Sequence, residues 1–267
     1  MNHSPLKEEI IRQYLPPELN TLPVLVFPEL ASTNDTAREL ARQGAPDGTV
    51  IIADHQTGGR GRRGRSFFSP PGVGLYLTMI FRTELPAAQA VQITTMASLA
   101  AARAMDEAAG TQTQIKWIND IYLNGHKLCG ILADGAPNGQ GGFDYVAVGI
   151  GINVNTPAEA FPEELRTIAG SLYSETGRIT DRNRLAALLI AHLLRCRDGL
   201  TQHLAQHMDE YRRRSCVLGK SVRVYGGGCD GAPGVAVDID NDGHLLVQMD
   251  TGEYRLLNSG EITIRTI

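Results

Sequence analysis

The stretch "DHQTGGRGRRGRSFFSPPG", Asp54 to Gly72, decides how this chain is to be read. Between Gly58 and Arg65 it carries four glycines and four arginines. Gly59-Arg60-Gly61-Arg62-Arg63-Gly64 matches G-x-G-x-x-G, and the apolar "GTVIIADHQ" before it reads as a strand. A dinucleotide-binding fold needs a helix to open on the last glycine. Here the chain continues through "RSFFSPPG", and Pro70, Pro71 and Gly72 do not start that helix. The segment is therefore a pliable, cationic loop between two strands. An arginine offers a planar fork of five donors and keeps its charge near neutral pH. Several forks converging on phosphate oxygens can hold a triphosphate, each contributing about 4 kcal/mol before desolvation at an effective dielectric near 20. Glycines allow close backbone approach to a ligand, and such a loop is expected to close over a bound intermediate. Idle arginines in a solvated turn are the bland reading, but that much like charge is unfavourable without an anion.

The rest of the chain says which anion. Its 267 residues suit one large domain plus a small one, and 42% hydrophobic content with 20% charged is ordinary for a globule with a core. Lys+Arg 25 against Asp+Glu 29 leaves a net charge of −4. Proteins that live on nucleic acid are usually basic over the whole binding domain. Local positive charge in an acidic chain favours a small anion. A single-strand nucleic-acid binder working through the Gly/Arg loop is the rival of a different class. Against it stand the single, embedded segment and the one tryptophan. Cys129, Cys196, Cys216 and Cys229 form no C-x-x-C pair, so neither zinc nor a disulfide framework is expected, and a cytoplasmic location fits. The N-terminus has no apolar signal-peptide core, and no run approaches the ~20 apolar residues of a membrane span.

Along the chain, "LPVLVFPEL" reads as a strand and "STNDTARELARQG" as a helix capped by its polar start and Gly44. "GLYLTMIF" is a strand, Ala87 to about Ala109 a helix, and "QIKWIND", "IYLNGHKLCGILAD" and "YVAVGIGINVN" are strands, with Asn124-Gly125 marking a hairpin. A long helical region spans 180–214, and from Gly219 short strands with glycine turns read as a small β-barrel of about 50 residues. Gly219-Lys220-Ser221 lacks the first glycine of a P-loop, since position 214 is Arg214. His203 and His207 have zinc spacing, but Leu204 stands where the glutamate of H-E-x-x-H belongs, so a polar helix face is expected. Before the first strand, about 22 residues interrupted by Pro16, Pro17 and Pro23 leave no room for a DNA-reading helix-turn-helix.

"STND", "HQTGGRGRRGRSFF", "KWIND", "KLCGIL" and "VGIGINVN" occur in the order and at about the spacing of the biotin protein ligases, which the chain resembles from Val24 to its end. The resemblance implies an α+β fold: a mixed β-sheet catalytic domain backed by helices (the class II synthetase-like, biotin–lipoate ligase fold) at 24–216. An extension at 1–23 precedes it, and an SH3-like β-barrel at 217–267 follows. It implies an ATP-dependent ligase that joins biotin to ATP, giving biotinyl-5′-AMP and pyrophosphate. The biotinyl group then passes to one lysine of a biotin carboxyl carrier protein. Mg²⁺ accompanies ATP, and homodimerisation through a sheet edge is common in the family. Lipoate or octanoate ligation is the rival within the class, although the glycine loop of those enzymes is a different motif. No DNA and no membrane are expected as partners.

The resemblance also implies roles. Ser32, Thr33 and Gln56 would hydrogen-bond the polar end of biotin, although Ser32 and Thr33 also read as a helix N-cap. Gly59, Arg60 and Arg62 would close over biotin and the phosphates. Arg65 and Phe67 would serve the nucleotide, with Phe67 replacing the usual Trp against adenine. Lys127 matches the family's essential lysine, between the biotin carboxylate and the α-phosphate. Gly130, Ile131, Gly149 and Gly151 would line the biotin pocket, and Asn153 would face the phosphate and Mg²⁺. Lys116 and Asn119 would contact ATP, and Asp120 would steer or deprotonate the incoming lysine. Ile118 stands where the family has Pro. Trp117 and Ile118 are read as core.

Overall fold

The computed structural model describes residues 4–83, 86–226, 229–258 and 263–266. The chain opens with α1 (Glu8–Tyr14), followed by β1 (Val24–Phe27), α2 (Thr33–Arg42), β2 (Val50–Ala53) and β3 (Gly74–Phe81). Then come α3 (Ala90–Ala109), β4 (Gln114–Lys116), β5 (Asp120–Leu123), β6 (His126–Pro137) and β7 (Phe143–Asn153). Helices α4 (Leu172–Thr176), α5 (Arg182–Gln202) and α6 (Leu204–Arg214) lead to β8 (Ser221–Gly226), β9 (Cys229–Ile239), β10 (Leu245–Met249), β11 (Tyr254–Leu257) and β12 (Thr263–Thr266).

The first seven strands form one mixed sheet in the order β1-β2-β3-β7-β6-β5-β4. Strands β1 and β2 run parallel; the other neighbours are antiparallel. Alternation along β3 and β7 sorts the two faces. Leu75, Leu77, Met79, Val148, Ile150 and Ile152 bury against α3 and α5, where Met96, Leu99, Leu185 and Leu189 meet them in the main core. On the opposite face α2 covers only one end, with Ala37 and Ala41 on Ile51, Ile80 and Ala147. The uncovered part of that face becomes the cleft. The Asn124-Gly125 hairpin between β5 and β6 has both residues at positive φ, 50° and 86°, as a two-residue type I′ turn requires.

The last five strands form an antiparallel sheet in the order β11-β10-β9-β8-β12. This is the small β-domain expected after Gly219; residues 259–262 of its last stretch lie outside the described residues. It is docked on the larger unit: Trp117 Nε1 donates to Gly243 O at 2.8 Å, and Gln92 Nε2 to Asp242 Oδ1 at 2.9 Å. Ala236, Leu245 and Val247 join the same buried core. Trp117 and Ile118 are both buried, as core residues should be.

Two features escape the sequence reading. Helix α1 has seven residues, too few to be stable alone; it forms because Ile11 and neighbouring Leu15 bury in the core. The helical region 180–214 is two helices, with His203 between them in non-helical geometry (φ −136°). His203 and His207 therefore do not share one helix face.

The Gly/Arg loop runs from β2 to β3, which pair antiparallel. No helix opens on Gly64, so the dinucleotide reading fails as expected. Asp54 clasps both ends of the loop: its Oδ2 accepts from Gly72 N at 3.0 Å and its Oδ1 from Arg182 Nη1 at 2.6 Å. The Arg182 side chain is 2% exposed and also donates to Gly74 O and Ser4 O. Removing one partner of a buried ion pair leaves a stranded charge. Asp54→Ala is expected to destabilise the fold by about 3–5 kcal/mol, read from the urea-denaturation midpoint.

Candidate active site

An open cleft lies between the exposed end of the sheet, the start of α2 and the Gly/Arg loop. Its floor is made of absent side chains. Gly130 pairs with Gly151, and Leu132 with Gly149, across β6 and β7. Tyr76 and Thr78 flank the same two glycines from β3. A Cβ on Gly151 would lie 2.6 Å from Phe67 Cε1, and one on Gly149 would collide with Asn34 Oδ1. Only glycine lets α2 and the loop come this close to the sheet.

One wall is a chain of neutral hydrogen-bonding groups. Thr33 N and Oγ1 both donate to Gln56 Oε1, at 2.8 and 3.1 Å. Gln56 Nε2 donates to Ser69 Oγ at 3.2 Å, which donates to Phe67 O. Thr78 Oγ1 lies 2.8 Å from Thr33 Oγ1 and 2.7 Å from Asn34 Oδ1, donating its one proton to one of them. Asn34 Nδ2 reaches Leu132 O and Asp134 Oδ2. Ser32, at the N-cap, makes no side-chain cap bond, so its hydroxyl is not spent on the helix. These groups suit a neutral polar ligand such as a urea or amide.

The other wall is charged. The loop folds on itself: Phe67 N donates to Gly59 O at 2.9 Å and Gly61 N to Arg65 O at 2.7 Å, with Arg63 and Gly64 at positive φ in the bend. Arg60 Nη2 pairs with Asp35 Oδ2 of α2 at 2.8 Å, and Arg38 pairs with the same carboxylate. Arg62 Nη1 donates to Asn119 Oδ1 at 3.0 Å; partial burial, then the neighbouring Arg63 charge, pull its pKa below the usual arginine range. A partly buried, like-charged neighbourhood of this kind favours an anion beside the two guanidinium groups. Asn119 is fixed in turn through its Nδ2 on Ile131 O. Lys127 Nζ lies 2.6 Å from Asp120 Oδ1, with both side chains partly exposed. The ring of Phe67 rests over Gly151 and Gly130, edge-on to Tyr76 at 6.4 Å. Burial pushes the Cys129 thiol pKa up, so this neighbour of Gly130 is an inert core residue and not a nucleophile.

The cleft thus brings together Ser32, Thr33, Gln56, Arg60, Arg62, Phe67, Asn119, Lys127, Gly130, Ile131, Gly149 and Gly151. Gly59 and Asp120 adjoin it through Phe67 and Lys127. Three expected contacts fall elsewhere. Lys116 lies on β4, its ammonium 5.4 Å from the Tyr122 ring centroid, because β-alternation and the sheet-edge position carry it away. Arg65 lies beyond the bend, exposed. Asn153 is buried, its amide spent on Gly170 O at 3.0 Å. Phe67 lies on the glycine floor, so the expected stacking on adenine requires the ring to move. Sequence reasoning missed Asn34, Asp35, Tyr76 and Thr78. Asn34 and Asp35 were visible inside "STND" but read as capping residues; nothing local marks Tyr76 or Thr78.

Residues 26–153 match the biotin/lipoate A/B protein ligase family and residues 217–265 match the biotin protein ligase C terminal domain. The chain is 37% identical to the bifunctional ligase/repressor BirA of Bacillus subtilis over 260 residues, covering 95% of this chain and 78% of that protein. It is 33% identical to the biotin–[acetyl-CoA-carboxylase] ligase of Mycobacterium tuberculosis over 250 residues, covering 89% and 87%. Its fold matches the Aquifex aeolicus biotin protein ligase solved with biotin and ATP, with a TM-score of 0.79 at 27% identity, covering 92% of this chain and 99% of that one. The chain belongs to the biotin/lipoate A/B protein ligase family, and within it to the biotin protein ligases.

Gly149→Ala forces Asn34 off the sheet and breaks the polar chain it anchors. Overpacking of this kind costs about 1–3 kcal/mol, which thermal unfolding of the variant should register as a lowered Tm.

Proposed function

We propose that this chain is an ATP-dependent biotin ligase working in two steps in this one cleft. In the first, a biotin carboxylate oxygen attacks the α-phosphorus of ATP in line. The bond to the bridging oxygen breaks and pyrophosphate leaves with that electron pair. In the second, the amine of a lysine on a biotin carboxyl carrier protein attacks the carbonyl carbon of biotinyl-5′-AMP. AMP leaves and the amine loses a proton. The observation that carries this reading is the pairing of a neutral hydrogen-bonding wall with a cationic one across a glycine floor.

Thr33, Gln56 and Ser32 hold the neutral ring of biotin, and the backbone of Gly130, Ile131, Gly149 and Gly151 shapes the pocket around it. Lys127 lies between carboxylate and α-phosphate and stabilises the charge that builds there. Arg62, fixed by Asn119, binds the phosphates, and Arg60 with Gly59 closes the loop over the adenylate. Asp120 both holds the Lys127 ammonium and accepts the proton of the incoming lysine. Phe67 swings from the floor to lie against adenine. Neither Arg65 nor Lys116 has a contact that argues for a nucleotide role. Mg²⁺ enters as part of the MgATP substrate. The cleft suits that: the carboxylates beside it are already engaged, Asp120 with Lys127, Asp35 with Arg60 and Asp134 with Asn34, so phosphates and waters would supply most of the ion's oxygens. Among the described residues, the one cluster of three potential metal ligands is Asp240, Asp242 and His244, in the C-terminal sheet.

The division of labour follows the two sheets, with 24–216 catalytic and 217–267 a C-terminal β-domain. Residues 4–23 pack α1 onto α5, through buried Ile11 and Leu15 and through Lys7 N on Asn183 Oδ1. A helix engaged in this way is not presented to a DNA groove, which supports the reading that this chain ligates without acting as a repressor. The family resemblance adds homodimerisation at a sheet edge and action in the cytoplasm as expectations. Among the described residues no helix is long and apolar enough to cross a membrane.

Exchange of labelled pyrophosphate into ATP tests the core of this. Biotin should stimulate it, while lipoate and octanoate should not, and Lys127→Ala should abolish it with the fold intact. Stimulation by lipoate or octanoate alone would move the assignment to that branch. No stimulation by any acid, with steeply salt-dependent oligonucleotide binding, would favour the nucleic-acid reading. A mobility-shift assay with biotin-operator DNA should show no complex even with the adenylate bound.

A further inference from the structure

Lys127 sits where one ladder bulges and another ends. Toward β5 the register slips: Ile121 pairs with Cys129 but Tyr122 with Lys127, leaving Leu128 as a bulge. Toward β7 pairing begins at Cys129 with Ile152, and β7 ends at Asn153, so Lys127 lies past its end. A separate segment takes up the loose backbone. Lys127 N donates to Ile168 O at 2.8 Å, and Gly170 N donates to Lys127 O at 3.0 Å. The two run parallel, with Lys127 opposite Ala169. Ile168–Gly170 is thus a strap that stands in for β7 beside the lysine.

The strap is stitched to the sheet by one side chain. Asn153, 5% exposed, donates from Nδ2 to Gly170 O at 3.0 Å. Beyond it Ser171 caps α4 with a reciprocal capping box, which holds the far end. Gly170 is pressed closely. A Cβ there would lie 2.7 Å from Glu175 Oε1 and 2.8 Å from His126 Cβ, and Glu175 Oε1 in turn meets His126 Nδ1 at 3.1 Å. Bulges beside active sites re-aim a side chain, but a bulge alone leaves the backbone soft.

We propose that Asn153 is a positioning residue for Lys127: through Gly170 it fixes the strap, and the strap fixes the backbone from which the lysine ammonium reaches the reacting oxygens. This rests on the role proposed for Lys127 in adenylate formation, and it gives Asn153 a task other than contact with nucleotide or metal. A lysine on a flexible four-carbon stem is placed no better than its own backbone.

The test is steady-state pyrophosphate exchange on the full chain, with biotin, ATP and Mg²⁺ each titrated. Asn153→Ala should lower kcat on the order of 10²-fold, the loss that a misplacement near 1 Å brings, with both KM values unchanged. Asn153→Asp, which has no donor for Gly170 O, should fall at least as far. Gly170→Ala should reproduce the kcat loss with Asn153 intact, and it decides by the same split should Asn153→Ala fail to fold. A raised KM for ATP at unchanged kcat would overturn the proposal. So would an Asn153→Asp enzyme that keeps its rate with a shifted Mg²⁺ requirement, because both describe a ligand to substrate. Lys127→Ala separates the two readings. If it keeps full exchange, the function assigned to the cleft falls. If it loses exchange while the Asn153 and Gly170 variants match the parent, only the positioning role falls.

Discussion

The site depends on a close approach that only hydrogen atoms permit. Gly149 and Gly151 on the central strand, with Gly130 beside them, leave the middle of a seven-stranded sheet bare on one face. Into that gap come Asn34 from the start of α2 and Phe67 from the loop. Everything polar in the cleft is indexed to this contact. Asn34 anchors Thr78, Thr78 touches Thr33, and Thr33 holds Gln56. The other face of the same strands carries Val148, Ile150 and Ile152 into the helical core. One strand, by simple alternation, is both the centre of the hydrophobic core and the floor of the site.

The cationic loop is mobile in principle but tied at both ends and in the middle. Asp54 and buried Arg182 clasp its ends, and Asp35 holds Arg60 to α2. The last contact is partly exposed, so it is weak and reversible, which suits the loop closure proposed above. The clasp, with its Arg182 end buried, is the firmer tie.

Much of this was legible in the sequence. The strands, α2, α3 and the Asn124-Gly125 hairpin follow from periodicity and turn chemistry, which act over a few residues. The breakers after Gly64 were enough to reject a dinucleotide fold, and the sheet pairing agrees. Helix α1 was not legible because its stability is tertiary: seven residues hold only by burying Ile11 and Leu15. The division at His203 was hidden by continuous helical composition. Among site residues, those inside the Gly/Arg loop and the glycine strands stood out by type. Thr78 and Tyr76 did not, since a threonine or tyrosine in an apolar strand looks like any other.

By itself the sequence determined which residues carry charge, where the backbone bends, and that a local cationic loop sits in an acidic chain. These are properties of residue type and near-neighbour spacing. Only the tertiary structure decided which groups meet. It set Lys127 against Asp120 and against a strap more than 40 residues away. It turned Lys116 toward Tyr122 and out of the cleft, and it spent the Asn153 amide on Gly170. Such pairings depend on strand register, bulges and the docking of distant segments, where a shift of one residue moves a side chain to the opposite face.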